Sequence, residues 1–240
     1  MFYEPAKQKS GLPHNPFTAC VVPRPIGWIS TISKDGVHNI APFAQFQNVT
    51  FEPPTVLFCA VGLPAKDTLV NARDTGEFVW NMATYDLRDK VVGSAITFPL
   101  QVDEFEALEI EYLPSNLVKP RRVAASPVNF ECVVMHTLDL PSAIPEGAAT
   151  IVVARVVGIH IRDEYINGEG TLDILKARPL ARLGYLAYTS VTASFEVTAA
   201  VPTEGPWKAD MNLRAHPSGL FHMPEVDHSK DTGSPVEEEA

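Results

Sequence analysis

The chain has 240 residues, of which 45% are hydrophobic and 20% charged, and it carries a formal net charge of -10. That length buries a sizeable core without staples, and that composition excludes disorder of the whole chain. The charge excludes a protein that grips nucleic acid by neutralising phosphates, since the closest basic grouping, Lys119, Arg121 and Arg122 around Pro120, reads as a solvated turn.

Residues 1–15 are turn-rich and form a predicted surface arm, with Phe2 and Tyr3 available to dock it. Strand signals follow in quick succession: "TACVVP", "IGWISTIS", "VHNIAPF", "AQFQNVTF" and "TVLFCAV". Lys34-Asp35-Gly36 and Glu52-Pro53-Pro54 punctuate them, and connections this short favour antiparallel pairing. "AKDTLVNARDTG" reads as a short helix with Asp67 as N-cap and Gly76 just past its end. "EFVWNMA" is another strand, and "YDLRDKVVGSAI" spaces Leu87, Val91 and Ala95 as a helix with Asp86 as its cap. Residues 103–127 are a mixed loop and helix region broken by Pro114, Pro120 and Pro127. "VNFECVVMHTLDL" and "TIVVARVVGIHIRDE" are the two longest predicted strands, and "SFEVTA" is the last.

Beyond Pro202 the pattern changes: four prolines fall between Pro202 and Pro224, no periodicity is sustained, and the end is acidic. The last fifteen residues fit a disordered end, while Trp207, Met211, Leu213, Leu220, Phe221 and Met223 suit a segment that lies across a partner subunit. Three units result: an arm over 1–15, a domain over 16–201 and a Pro-rich tail over 202–240. Many short strands with inserted helices indicate a mostly β, antiparallel barrel.

Cys20, Cys59 and Cys132 are odd in number, widely spaced and set among apolar neighbours, as buried reduced thiols are. No CxxC, HExxH or GxSxG occurs, and the seven histidines are scattered. His136 and His160 alternate with apolar residues on strands and read as core or edge histidines. The N-terminus lacks the apolar run of a signal peptide, and Arg155 breaks the longest apolar stretch, which points to the cytoplasm and away from a membrane.

Ser30 and Thr31 stand side by side on one strand and so point to opposite faces. Exposed strand hydroxyls are common, but the first turn of the "KDT" helix, with Lys66 and the Thr68 hydroxyl, supplies N–H groups and a cation for a phosphate. Neither GxGxxG nor GxxxxGK[ST] is present, so that phosphate is not held as in a Rossmann domain or a P-loop.

"RPIGWIST", "DG..NIAPF", "VTFEPPTVLF", "KDT..N", "GEFVWNM", "NFECVVMHTL" and "RPLARLGY", in this order over about residues 15 to 200, resemble the flavin reductase-like family of FMN-binding split barrels. The family includes flavoredoxins and the reductase components of two-component monooxygenases such as nitrilotriacetate monooxygenase. The resemblance implies a six-stranded antiparallel Greek-key split barrel and a homodimer with FMN, rather than FAD, near the subunit interface. Carried over by position, Ser30 and Thr31 meet the FMN phosphate and ribityl chain, and Lys66, Asp67 and Thr68 complete the phosphate site. Ala44 to Asn48, with Phe46 and Gln47, run along the ring edge, and Trp28 lies beside the flavin. Where many members read Ser-x-Phe-Asn, this chain has Ala44, Gln45, Phe46 and Gln47, one hydroxyl fewer and one amide longer.

A flavin carries its own redox chemistry, so a clamp for its phosphate, hydrogen bonds to its ring and a dry face suffice, and no catalytic acid or base is expected. NADH or NADPH is the implied hydride donor, and a separate flavin-dependent monooxygenase is one implied recipient of reduced flavin. Arg182 and Tyr185 are candidates for contact with the nicotinamide nucleotide or a substrate. Trp28 and Trp80 are expected to pack in the barrel with each indole N–H needing one partner. Two other functions share this pattern: a flavin carrier or sensor without turnover, and an enzyme that uses tightly bound FMN on one small organic substrate.

Overall fold

Alternating and continuous apolar runs fold here mostly as strands; the computed structural model describes residues 1–5, 7–62, 65–144 and 147–195. Helix α1 (Phe17–Cys20) stands where a strand over Thr18–Pro23 is predicted. Asn15 Oδ1 accepts from the Phe17 N–H at 3.0 Å, and the Arg24 guanidinium donates back to the Thr18 and Val21 carbonyls, so polar groups close the turn despite its apolar sequence. Then come β1 (Arg24–Pro25), β2 (Gly27–Ile32), β3 (His38–Phe43), β4 (Phe46–Phe51) and β5 (Pro54–Val61).

Helix α2 (Asp67–Thr75) ends as its sequence predicts, with Gly76 at φ 72° donating to the Ala72 carbonyl. Its start differs: Lys66 occupies the N-cap position, no side chain caps it, and Asp67 is the first helical residue. After β6 (Glu77–Met82), Asp86 does not cap α3 (Arg88–Gly93) but pairs with Arg178 at 3.4 Å. Asp103 caps α4 (Glu104–Ala107), accepting from the Phe105 and Glu106 N–H groups. Next are β7 (Tyr112–Leu113), β8 (Arg122–Val123), β9 (Val128–Leu140), β10 (Ala149–Ile161), α5 (Ile174–Ala177), β11 (Leu180–Arg182) and β12 (Tyr188–Ser190). The predicted strand "SFEVTA" and the tail from Pro202 fall almost wholly outside the described residues.

The main sheet has the order β3-β2-β6-β9-β10-β5-β4, with antiparallel pairing throughout. Strands β6, β9 and β10 are neighbours in sequence order, while β5, which reaches β6 through α2, lies beyond β10; this is a Greek-key order. Among the described residues the main sheet has seven strands against the implied six because the chain bends at Ala44–Gln45 and divides one extended run into β3 and β4. These two edges are consecutive in the chain but do not pair, so the barrel is split there and side chains close it. Phe43 packs on Phe58 at 5.0 Å, and Phe46 stacks on Trp80 at 5.3 Å. A Cβ on Gly27 would lie 2.9 Å from the Phe46 ring, which explains a glycine at that crossing.

Two apolar clusters result. Ile29, Phe58, Phe78, Trp80 and Val152 fill the barrel, and Leu69 and Ala72 of α2 plug it. Trp28, Ile40, Val91, Phe105 and Val123 form a second cluster under α3 and α4. Strand β2 is therefore buried on both faces, and each indole finds the partner it needs: Trp28 Nε1 donates to Ser94 Oγ and Trp80 Nε1 to the Ile26 carbonyl.

The cysteines divide: Cys132 is buried, Cys59 half-buried and Cys20 exposed. Cys20 departs from the predicted burial because α1 has no buried residue. His136 is exposed on the outlying half of β9, whereas His160 bonds Glu131 Oε1 at 2.5 Å. In the arm, Phe2 is exposed and it is His14 that meets Tyr185, at 5.7 Å.

Glu131, fully buried, ties the 114–120 loop to the barrel by accepting from the N–H groups of Asn116, Leu117 and Val118. Burial pushes its pKa up, but those three donors and His160 more than offset it, and the net shift is downward. Its stabilisation is therefore present above the unfolded carboxyl pKa and lost as pH falls through the lowered folded value. Replacing Glu131 with Ala leaves three N–H groups without their acceptor and is expected to cost about 3–5 kcal/mol in chemical denaturation at pH 7. A loss under about 1 kcal/mol would show that the loop is held otherwise.

Candidate functional site

The sheet order leaves a cleft where β3, the Ala44–Gln45 bend and β5 meet the start of α2, closed on its far side by the 94–97 segment and α4. Its volume is about 710 Å³, within the range of about 300–1,000 Å³ usual for small-molecule sites. Asn39, Lys66, Asp67, Thr68 and Glu104 carry its polar character, and Phe43, Ala44, Cys59 and Ile96 its apolar walls.

Helix α2 gives the cleft its electrostatics. The first intrahelical acceptor is the Lys66 carbonyl, which takes the Leu69 and Val70 N–H groups. The Asp67 and Thr68 N–H groups thus precede the helical ladder at the positive end of its dipole. The Lys66 ammonium is exposed and makes no ion pair among the described residues. Two N–H groups and a free cation are the donor set a phosphate requires.

Behind this end lies a buried polar network. Asn39 Oδ1 accepts from the Thr68 hydroxyl at 2.7 Å and from the Thr31 hydroxyl at 3.3 Å, while Thr31 Oγ1 accepts from Asn71 Nδ2 at 3.1 Å. Both hydroxyls enter one amide oxygen, so the Asn39 nitrogen turns toward Glu104. Glu104 is only 4% exposed, and its Oε2 accepts from the Ile40 N–H at 2.9 Å. Burial first, and then the Asp67 and Asp103 charges, raise its pKa to about 7 against the pull of those two donors.

The structure thus brings Ala44, Lys66, Asp67 and Thr68 to one cleft and sets Thr31 directly behind it. It does not bring the other candidates to the cleft wall. Ser30 is fully buried on the opposite face of β2, donating to the Arg121 carbonyl at 2.5 Å and accepting from Asn81 Nδ2 at 3.2 Å. Trp28 is core, Phe46 is stacked inside the barrel, and Gln47 and Asn48 are exposed on edge strand β4, bonded to each other at 2.7 Å. Arg182 lies over the Tyr188 ring at 4.3 Å and donates to the carbonyl of exposed Tyr185. No sequence argument singled out Asn39 or Glu104. The available signal was the "VDEFEALEI" stretch, where an Asp cap sets the next acid at the start of an apolar-faced turn.

A second cleft of about 450 Å³ lies between α3 and β11–β12, lined by Val92, Leu180 and Tyr188. There Tyr85 is flanked by Arg88 at 4.4 Å and Arg178 at 4.2 Å.

Among the described residues no group of three or more His, Cys, Asp or Glu is placed to hold a metal ion. Burial pushes the Cys59 and Cys132 thiols up, so neither is set as a thiolate nucleophile.

The flavin reductase like domain family matches residues 19–180. An uncharacterized protein of Aquifex aeolicus is 36% identical over 167 residues, covering 68% of this chain and 82% of that one. Among solved structures, nitrilotriacetate monooxygenase component B from Bacillus cereus superposes with a TM-score of 0.75 at 24% identity, over 82% of this chain and 98% of that one. Flavoredoxin of Desulfovibrio vulgaris gives 0.67 at 18% identity, over 82% and 100%. Both likenesses are of fold, and both agree with the split barrel.

The exposures predict an order of thiol alkylation: Cys20 first, Cys59 more slowly, and Cys132 only on unfolding. A ligand that fills the larger cleft is expected to slow Cys59 and leave Cys20 unchanged, as peptide mass mapping would show. Equal slowing of both would place the ligand elsewhere.

Proposed function

The chain belongs to the flavin reductase like domain family, and from that premise we propose that it is an NAD(P)H-dependent flavin oxidoreductase that holds FMN in the larger cleft. The observation that carries the proposal is the meeting of Lys66 with the Asp67 and Thr68 N–H groups at one end of a cleft of about 710 Å³. That donor set fits one phosphate, which favours FMN over a dinucleotide flavin. Bound there, FMN supplies the two-electron chemistry by accepting hydride from a nicotinamide.

The chain's own residues bind and orient. Lys66 and the α2 N-terminus take the phosphate. Thr31 and Asn39 hold Thr68, and with it the helix start, in place. Ala44 and Gln45 line the cleft where the chain bends, and in this reading the Ala44 backbone meets a ring edge. Phe43, Cys59 and Ile96 keep water from the apolar part. Trp28, Ser30 and Phe46 act from inside the protein by fixing the two strands that carry this wall.

A homodimer suits the exposed apolar side chains on β4 and β9. Phe51 is 64% exposed and Leu138 56%, and residues 135–140 are exposed on both faces of β9. Gln47 and Asn48 stand on the same edge strand, free to face a partner subunit. In this proposal the protein works in the cytoplasm and delivers reduced flavin to a partner oxygenase, as the name of the Bacillus cereus component suggests for that protein, or to another acceptor. Among the described residues no helix is long and apolar enough to cross a membrane.

Three measurements check this. Anaerobic NADH or NADPH is expected to bleach the flavin absorption of the FMN-loaded protein; bound flavin that neither nucleotide bleaches would point to a carrier or to an enzyme with its own organic substrate. Lys66→Ala is expected to weaken FMN by about 1.5–3 kcal/mol, roughly 10- to 150-fold in Kd by fluorescence titration. Unchanged affinity would remove Lys66 from the site. Sedimentation of Leu138→Asp is expected to show monomer where the unaltered protein sediments as dimer; a monomeric unaltered protein would contradict the dimer.

A further inference from the structure

Among the described residues the polar lining of the larger cleft is unbalanced: Lys66 is its one cation, while Asp67 and Glu104 are both acids. Glu104 is 4% exposed, and the carboxyl reaches the cleft from the first turn of α4. Its protein neighbours are donors. Oε2 accepts from the Ile40 N–H at 2.9 Å, and the Asn39 amide nitrogen also bonds the carboxyl, because the Asn39 oxygen is already taken by two hydroxyls. A protonated carboxyl must also donate one O–H, and neither the Ile40 N–H nor the Asn39 NH₂ can accept it. The cleft, which Glu104 lines, is where an acceptor on a ligand can meet it.

Glu104 thus has two faces: acceptor toward the protein, and in its neutral form donor toward the ligand. We propose that Glu104 meets the bound flavin nucleotide as a neutral carboxylic acid, donating a hydrogen bond to an acceptor oxygen or nitrogen of the ligand, so that binding takes up one proton. This inference rests on the flavin reading of the cleft given above. Ionised, the same group would set a second carboxylate beside Asp67 against an anionic ligand with only Lys66 to oppose it. Protonated, it removes that repulsion and adds a donor.

A carboxyl titrating near neutrality permits this, because the proton is present or easily gained at working pH. The charges that act on the group are Asp67 on α2 and Asp103, the latter with its Arg121 partner at 2.9 Å; Lys66 on the same helix start lines the cleft, and His38 stands on β3 two residues before Ile40. Burial first, and then the Arg121 charge, hold the His38 pKa below its ordinary value, which favours its neutral form. All of these are shared by a variant altered only at Glu104.

The test is the dissociation constant of FMN from pH 6 to 9 for the unaltered protein and for Glu104→Gln, whose amide keeps a carbonyl for Ile40 and a fixed donor for the ligand. The Kd ratio of unaltered protein to variant is expected to be flat below about pH 7 and to rise about tenfold per unit above it. The ligand phosphate titrates near pH 6 in both cases and cancels in the ratio. A ratio that does not change with pH would overturn the inference while leaving flavin binding intact. Absence of FMN binding by the unaltered protein at every pH would overturn the proposed function and this inference together. Should the variant fail to fold, calorimetry of FMN binding to the unaltered protein at pH 8, in two buffers of different ionisation enthalpy, reads proton uptake directly: about one proton is expected, and none would overturn the inference.

Discussion

Asn39 is buried at the point where a sheet edge, a helix start and a cleft converge, and a buried amide must satisfy both of its ends. Its oxygen takes the Thr31 and Thr68 hydroxyls, which ties β2 to the first turn of α2; its nitrogen takes Glu104, which ties β3 to α4. Remove this amide and two hydroxyls lose their acceptor, while the helix end loses the bond that fixes it to the barrel. The N–H groups at that end are useful to a ligand only if they are held still. The same contact therefore stabilises the fold and sets the direction of the N–H groups at that helix end.

The split in the barrel is the second constraint. A sheet closed by hydrogen bonds would carry its ladder straight across the β3–β4 junction. Here the chain turns at Ala44–Gln45, aromatic packing through Phe43, Phe46, Phe58 and Trp80 holds the gap, and the turn lines a cleft. Ser30 and Thr31 show how such a site borrows from the core. Adjacent on one strand, they point to opposite sides: Thr31 supports the cleft through Asn39, while Ser30 accepts from Asn81 of β6 and donates directly to the Arg121 carbonyl.

Most strands were legible because their signal is local. β9 has the predicted bounds and β10 begins one residue earlier, and Gly76 ends α2 where a left-handed glycine should. The failures share a cause, which is dependence on distant partners. "TACVVP" has strand composition, but Asn15 and Arg24 close it into a turn of helix. Trp28 gave no sign of which wall it would join, since its partner Ser94 is 66 residues away. Glu104 was not singled out because nothing in its neighbours reveals the Ile40 N–H or the Asn39 amide that draws it inside. The resemblance to a family named Ala44, Lys66, Asp67 and Thr68, which line the cleft, but neither Asn39 nor Glu104, which line it too.

A crystal structure of the protein grown with FMN would test the central claim most directly. The account predicts the phosphate within hydrogen-bonding distance of the Asp67 and Thr68 N–H groups and Lys66 Nζ, with the ring running toward Ala44–Gln45. Flavin seated instead in the cleft beside Tyr85 and Leu180, or a phosphate held away from the start of α2, would contradict it.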